Sequence, residues 1–149
     1  MRPSFKIEHE FVEFIPKERL ERVLYVSIPC ATAVHNCFCG CGTKVVTPIG
    51  PARWHLLFNG ETVSLNPSVG NWAYPCRSHY YIKNDTVLWA GDMSDASIAL
   101  GRQRDRAALR AHFNPPVVIP TPVTPVTPTP TPALKKRKSL INRVRSWFG

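Results

Sequence analysis

The chain has 149 residues, a formal net charge of +9, 44% hydrophobic residues, 15 prolines and five cysteines, a length that admits one domain with small appendages. Its charge is unevenly placed: residues 1–101 carry nine Lys/Arg against nine Asp/Glu, residues 102–114 add four arginines against Asp105, and residues 134–149 add six cations with no acid. A neutral body with a cationic end argues against nucleic acid as a partner of the body and points to an accessory anchor. The opening "MRPSFKIEHEFVEFIP" lacks the apolar stretch of a signal peptide, and no segment approaches the roughly 18 apolar residues of a membrane span. A cytoplasmic protein with reduced thiols is therefore expected.

In chain order, "RVLYVSI" at residues 22–28 is β-branched and aromatic and predicts a strand stopped by Pro29. "KVVTPI" at residues 44–49 predicts a second, halted by Gly50-Pro51. "RWHLLF" and "ETVSL" flank Asn59-Gly60, the strongest short hairpin signal, because both central residues of a type I′ turn need positive φ. "HYYIK" and "TVLWA" flank Asn84-Asp85, and a two-residue loop there sets Trp89 opposite Tyr80. From Ser94, an N-cap residue, the pattern turns helical, with Asp95 in the first turn and Ile98, Leu109 and Phe113 as apolar positions.

Eight of the prolines fall in residues 115–132, where "PPVVIPTPVTPVTPTPTP" reads as an extended, disordered Pro/Thr linker. Beyond it, Leu140, Ile141, Val144, Trp147 and Phe148 share one helical face, with Lys135, Lys136, Arg137, Lys138, Arg143 and Arg145 on the other. Such a short amphipathic helix suits an anionic membrane surface or a protein groove, which would make the protein membrane-peripheral through its tail. The expected organisation is a zinc-stabilised β-rich domain with a terminal helix over 1–113, a Pro/Thr-rich linker over 114–133 and a basic tail over 134–149. The expected class is α+β.

The chemistry concentrates in two clusters. "HNCFCGCG" places Cys37, Cys39 and Cys41 alternately, so an extended segment would turn all three thiols to one side. "PCRSH" adds Cys76 and His79 at Cys-x-x-His spacing. Two of the three clustered cysteines with Cys76 and His79 would complete a tetrahedral Cys3His site, which Zn(2+) fits best. Cys39 and Cys41 are the favoured pair, and Cys30 reads as a small buried apolar residue. With no His-Glu-x-x-His and no carboxylate close in sequence to the ligands, the site is expected to be structural. Ser68 and Asn71 read as loop residues that satisfy backbone groups. Ser78 with His35 across the metal site is the catalytic pair this segment could offer, while Ser78 and His79, adjacent on a strand, face opposite ways. Arg77, beside the site, could bind an anion.

The ordered blocks "HNCFCGCG", "W.L.F.GETVSL.PS.GNW" and "PCRSHYYI....VLWA" resemble a small bacterial family over about residues 22–92. In that family the first block commonly reads His-x-Cys-x-Cys-Gly-Cys-Gly and the last Cys-x-Ser-His-Tyr-Trp-Ile; Tyr81 stands here where tryptophan is usual. Members are often encoded beside ubiquitin-like proteins and their activating or conjugating enzymes. The resemblance implies that His35, Cys37, Cys39, Cys41, Cys76, Ser78 and His79 form the functional constellation. The leading expectation is a zinc-binding accessory protein that recognises a protein partner in a ubiquitin-like conjugation system. The rival is a peptidase that processes or removes a ubiquitin-like protein through Ser78 and His35.

Overall fold

A computed structural model of the protein describes residues 2–115. Nine strands run β1 (Phe5–Lys6), β2 (Glu8–Phe11), β3 (Val23–Ser27), β4 (Thr32–Asn36), β5 (Lys44–Pro48), β6 (His55–Phe58), β7 (Val63–Gly70), β8 (His79–Lys83) and β9 (Thr86–Trp89), followed by helix α1 (Asp95–Phe113). They form a five-stranded sheet, β1-β9-β8-β7-β6, and a four-stranded sheet, β2-β3-β4-β5. Alternating side chains from both sheets meet in one core: Leu24, Val26, Ala33 and Val45 from one, and Val63, Leu65, Val69, Tyr80, Ile82 and Val87 from the other.

This corrects the α+β expectation. The body is a two-sheet β structure to which a single helix is appended, and Ile98 is the helix's buried residue. The short N-terminal strands escaped the sequence pattern because each owes its place to a distant partner: β1 pairs with β9 and β2 runs parallel to β3. Strand β4, between Pro29 and the cysteines, was also missed. The Pro/Thr linker and the amphipathic tail expected beyond residue 115 lie outside the described residues.

The hairpins differ in how they turn. Asn84 and Asp85 both have positive φ, 47° and 53°, so β8 and β9 close through the two-residue turn the sequence predicts, and Tyr80 pairs with Trp89. Between β6 and β7 the link is longer: Asn59 N–H donates to the Thr62 carbonyl, while Asn59 Oδ1 accepts from the Glu61 and Thr62 amides. The side-chain oxygen organises that loop in place of the expected type I′ pair.

One irregularity positions the site. Leu65 pairs with Ile82 and Val69 with Tyr80, so four steps along β7 match two along β8. The surplus residues, among Asn66-Pro67-Ser68, bulge from the ladder, and a bulge commonly re-aims a side chain beside a functional site.

Candidate active site and metal centre

Register on β7 and β8 places a serine beside a histidine. Gly70 lies opposite His79, and Ser68, two residues away on the same face, is its diagonal neighbour. Ser68 Oγ lies 2.9 Å from His79 Nε2, and His79 Nδ1 lies 2.9 Å from the Gly91 carbonyl oxygen. A carbonyl only accepts, so Nδ1 carries the proton; in the neutral ring Nε2 then offers its lone pair to the Ser68 hydroxyl. This is the nucleophile-to-base-to-orienting-group arrangement of an activated serine, with a backbone carbonyl in the third place.

The walls of the site follow from neighbouring residues. Trp72 packs against His79 with ring centroids 4.9 Å apart, and Arg77 lies over the indole. A groove of about 500 Å³ opens from Ser68 and His79, bounded by Val46, Trp54, Trp72 and Ile98. A second recess on the other flank of His79 is lined by Arg2, Arg77 and Trp89. The dyad thus sits at the junction of two solvent-open depressions.

The cysteines gather nearby, from buried Cys37 to exposed Cys41. Cys37, Cys39, Cys41 and Cys76 bring their sulfurs within 4.8 Å of one another. A tetrahedral zinc with bonds of about 2.3 Å needs sulfurs roughly 3.8 Å apart, so the donor set fits a closed four-thiolate metal centre. Gly40 and Gly42, with φ of 85° and 72°, turn the loop so that alternate thiols converge. Burial pushes the Cys37 thiol up, and Cys39 is pushed up to about 12, chiefly by burial; bonding to Thr43 lowers exposed Cys41 to about 6. A divalent cation would displace the protons that burial keeps on Cys37 and Cys39.

His79 is outside that set, unlike the expected Cys3His arrangement: both its ring nitrogens are engaged, with Ser68 and Gly91, and all three clustered cysteines, Cys37 included, join Cys76 instead. Cys30, expected inside, is exposed. The Ser78–His35 pair is not brought together either. Ser78 Oγ accepts from Asn71 Nδ2 at 2.9 Å and lies 3.1 Å from Cys37 Sγ and 3.6 Å from Cys76 Sγ, a post that braces the thiol cluster. His35 is fully buried, stacked on Phe38 at 4.3 Å, with Nε2 bonded to Tyr80 Oη at 2.8 Å. Burial lowers its pKa to about 3, too weak a base for work near neutrality.

Sequence reasoning missed Ser68 because it read residues 66–72 as a loop. The available signal was that Ser68 and His79 fall in two separate blocks of the resemblance and on strands joined by a single connection, where a diagonal pair can form. Among the described residues no helix is long and apolar enough to cross a membrane. No curated protein and no solved structure matches the chain. A family model described as bacterial ubiquitination-like system serine protease (BubE) matches residues 11–90, more than half of the chain and the span that holds both the dyad and the four cysteines. The chain belongs to the bacterial ubiquitination-like system serine protease family.

Proposed function

We propose that the protein is a serine protease in which Ser68 is the nucleophile and His79 the general base, acting on the C-terminal tail of a ubiquitin-like protein to mature it or to release it from conjugates. The observation that carries this reading is the continuous hydrogen-bond line from Ser68 Oγ through His79 to the Gly91 carbonyl, 2.9 Å at each step, at the mouth of a groove. Ser68 Oγ attacks the scissile carbonyl and its proton passes to His79 Nε2. The Gly91 carbonyl stabilises the imidazolium through Nδ1–H. That imidazolium then protonates the leaving group as the scissile bond breaks, and water, giving its proton to His79, hydrolyses the acyl–Ser68 ester, releasing the acid as the proton returns to Ser68 Oγ. The four cysteines would hold a structural Zn(2+), which supplies no chemistry to the reaction and fixes the segment between Asn71 and His79. Thiolate ligands require reduced cysteines, which the cytoplasm provides.

The test is covalent labelling with a fluorophosphonate probe and cleavage of the ubiquitin-like protein encoded in the same system, carrying a C-terminal extension. Ser68→Ala is expected to abolish labelling and lower cleavage at least about a thousandfold, whereas Ser78→Ala in folded protein keeps the label. Absence of labelling at Ser68 in folded, metal-loaded protein would return the function to a zinc-binding accessory module that recognises a protein partner.

A further inference from the structure

The groove that starts at Ser68 is flanked by β5, the outermost strand of its sheet. Two bonds fix which of its backbone groups are used. Cys37 N–H donates to the Thr43 carbonyl and Ile49 N–H to the Ala31 carbonyl, so the bonded pairs with β4 are those at odd-numbered residues of β5, Val45 and Thr47. The amides and carbonyls of Lys44, Val46 and Pro48 therefore point away from the sheet. At both ends of this outward row the carbonyl is already taken: Tyr74 Oη donates to that of Lys44, and Trp54 N–H donates to that of Pro48. Pro48 has no N–H to offer. Between them the Val46 N–H and C=O have no partner among the described residues, and Val46, 46% exposed, lines the groove.

Val46 alone offers both a donor and an acceptor, with only the Lys44 N–H free beside it among the described residues, a row too short to recruit another sheet. It matches a single residue of an extended chain pairing as an added strand. Charged groups do not dominate the adjoining walls, which include Trp54, Trp72, Met93 and Ile98, so the occupant's alternating side chains on that side are apolar.

We infer that Val46 is the backbone docking point for substrate: the chain on the acyl side of the scissile bond lies extended along β5, exchanges two hydrogen bonds with Val46 and so delivers its carbonyl to Ser68. The inference rests on Ser68 being the nucleophile, and it adds to that reading where and how the tail is held. The substrate is an unfolded, apolar C-terminal tail recognised through its main chain, not a loop within a folded domain. The acyl side is the natural side for such recognition, because precursor and conjugates of one ubiquitin-like protein share it while their leaving groups differ.

The experiment uses the full-length chain and an aminomethylcoumarin amide of the tail peptide of the ubiquitin-like protein of the same system. A series of peptides carries one backbone N-methyl group at each acyl-side position in turn. Fluorophosphonate labelling, which needs Ser68 but no extended chain, is measured beside cleavage. For wild type, N-methylation at one position is expected to lower kcat/KM roughly five- to tenfold, the worth of a lost backbone hydrogen bond, with smaller effects at its neighbours. Val46→Pro, which removes the edge N–H, is expected to lower the ratio of peptide cleavage to labelling by a similar factor. Labelled wild type that tolerates N-methylation at every position within twofold overturns the docking proposal while leaving the Ser68 reading intact, even if Val46→Pro does not fold. Wild type that is not labelled at Ser68 overturns both.

Discussion

Replacing Gly70 by alanine probes how His79, the proposed general base, is held. Gly70 has no positive φ to protect; what excludes a side chain is Trp72, whose indole lies over its α-carbon. An added Cβ would sit 2.7 Å from Trp72 Cε2 and closer still to Nε1, against an ordinary contact of about 3.5–4.0 Å. The indole must therefore retreat by about 1 Å, and His79, whose ring it packs against with centroids 4.9 Å apart, loses that wall. Overpacking of this kind costs about 1–3 kcal/mol, and a misplacement of about 1 Å in catalytic geometry can cost on the order of a hundredfold in rate. The expected result is a urea-unfolding loss in that range together with a ten- to hundredfold fall in kcat/KM for tail cleavage, roughly what these terms allow. Gly70→Ala combined with Trp72→Ala removes the collision, so the pair should show a favourable coupling of about 0.5–3 kcal/mol in a double-mutant cycle. Gly60→Ala is the control, since open space surrounds it and its strain is conformational alone. A Gly70→Ala protein with unaltered stability and kcat/KM within twofold of wild type would refute the argument that Trp72 positions His79.

Three further outcomes are expected. Metal analysis should find about one zinc per chain, and chelation or Cys76→Ala should unfold the body, because structural zinc is worth about 10–16 kcal/mol apparent where whole domains hold about 5–15; acidification should release the metal, since protons compete for the thiolates, and a folded, active apo-protein would contradict this. Asp85→Ala should cost about 2–4 kcal/mol in chemical denaturation, because this carboxylate accepts from His9 Nδ1 and from the Val63 amide in a nearly buried position; a loss below about 0.5 kcal/mol would show that the contacts are idle. Tyr80→Phe leaves His35 Nε2 without its partner and should lower stability by about 1–3 kcal/mol while fluorophosphonate still labels Ser68; loss of labelling in folded Tyr80→Phe would put His35 back in the catalytic machinery.

The sequence displayed whatever local chemistry decides. Asn84-Asp85 specified its turn and the Tyr80–Trp89 pairing because positive φ and cross-strand register are properties of neighbouring residues. Ser94 announced α1, and its hydroxyl accepts from the Ser97 amide. Spacing also found the four thiols, yet it added His79, because Cys-x-x-His looks the same in sequence whether the ring faces the sulfurs or the opposite side of the strand. The dyad was hidden for a related reason. Ser68 reaches His79 only because β7 carries surplus residues opposite β8, and a bulge is a property of two strands together. Likewise, the availability of Val46 depends on which neighbour β5 lacks, something no window of sequence reports.

The stretch Phe5–Phe11 gives β1 to the edge of one sheet and β2 to the edge of the other, with Ile7 buried between them. Phe5 finds its partner at Val87. During synthesis at about 5–20 residues per second, that partner appears roughly 4–16 s after Phe5. β2 meets β3 much earlier, so through this interval it is β1 alone that waits for its partner strand. The first strand made is therefore the last to be seated: β1 completes the edge of the five-stranded sheet only once β9 has emerged.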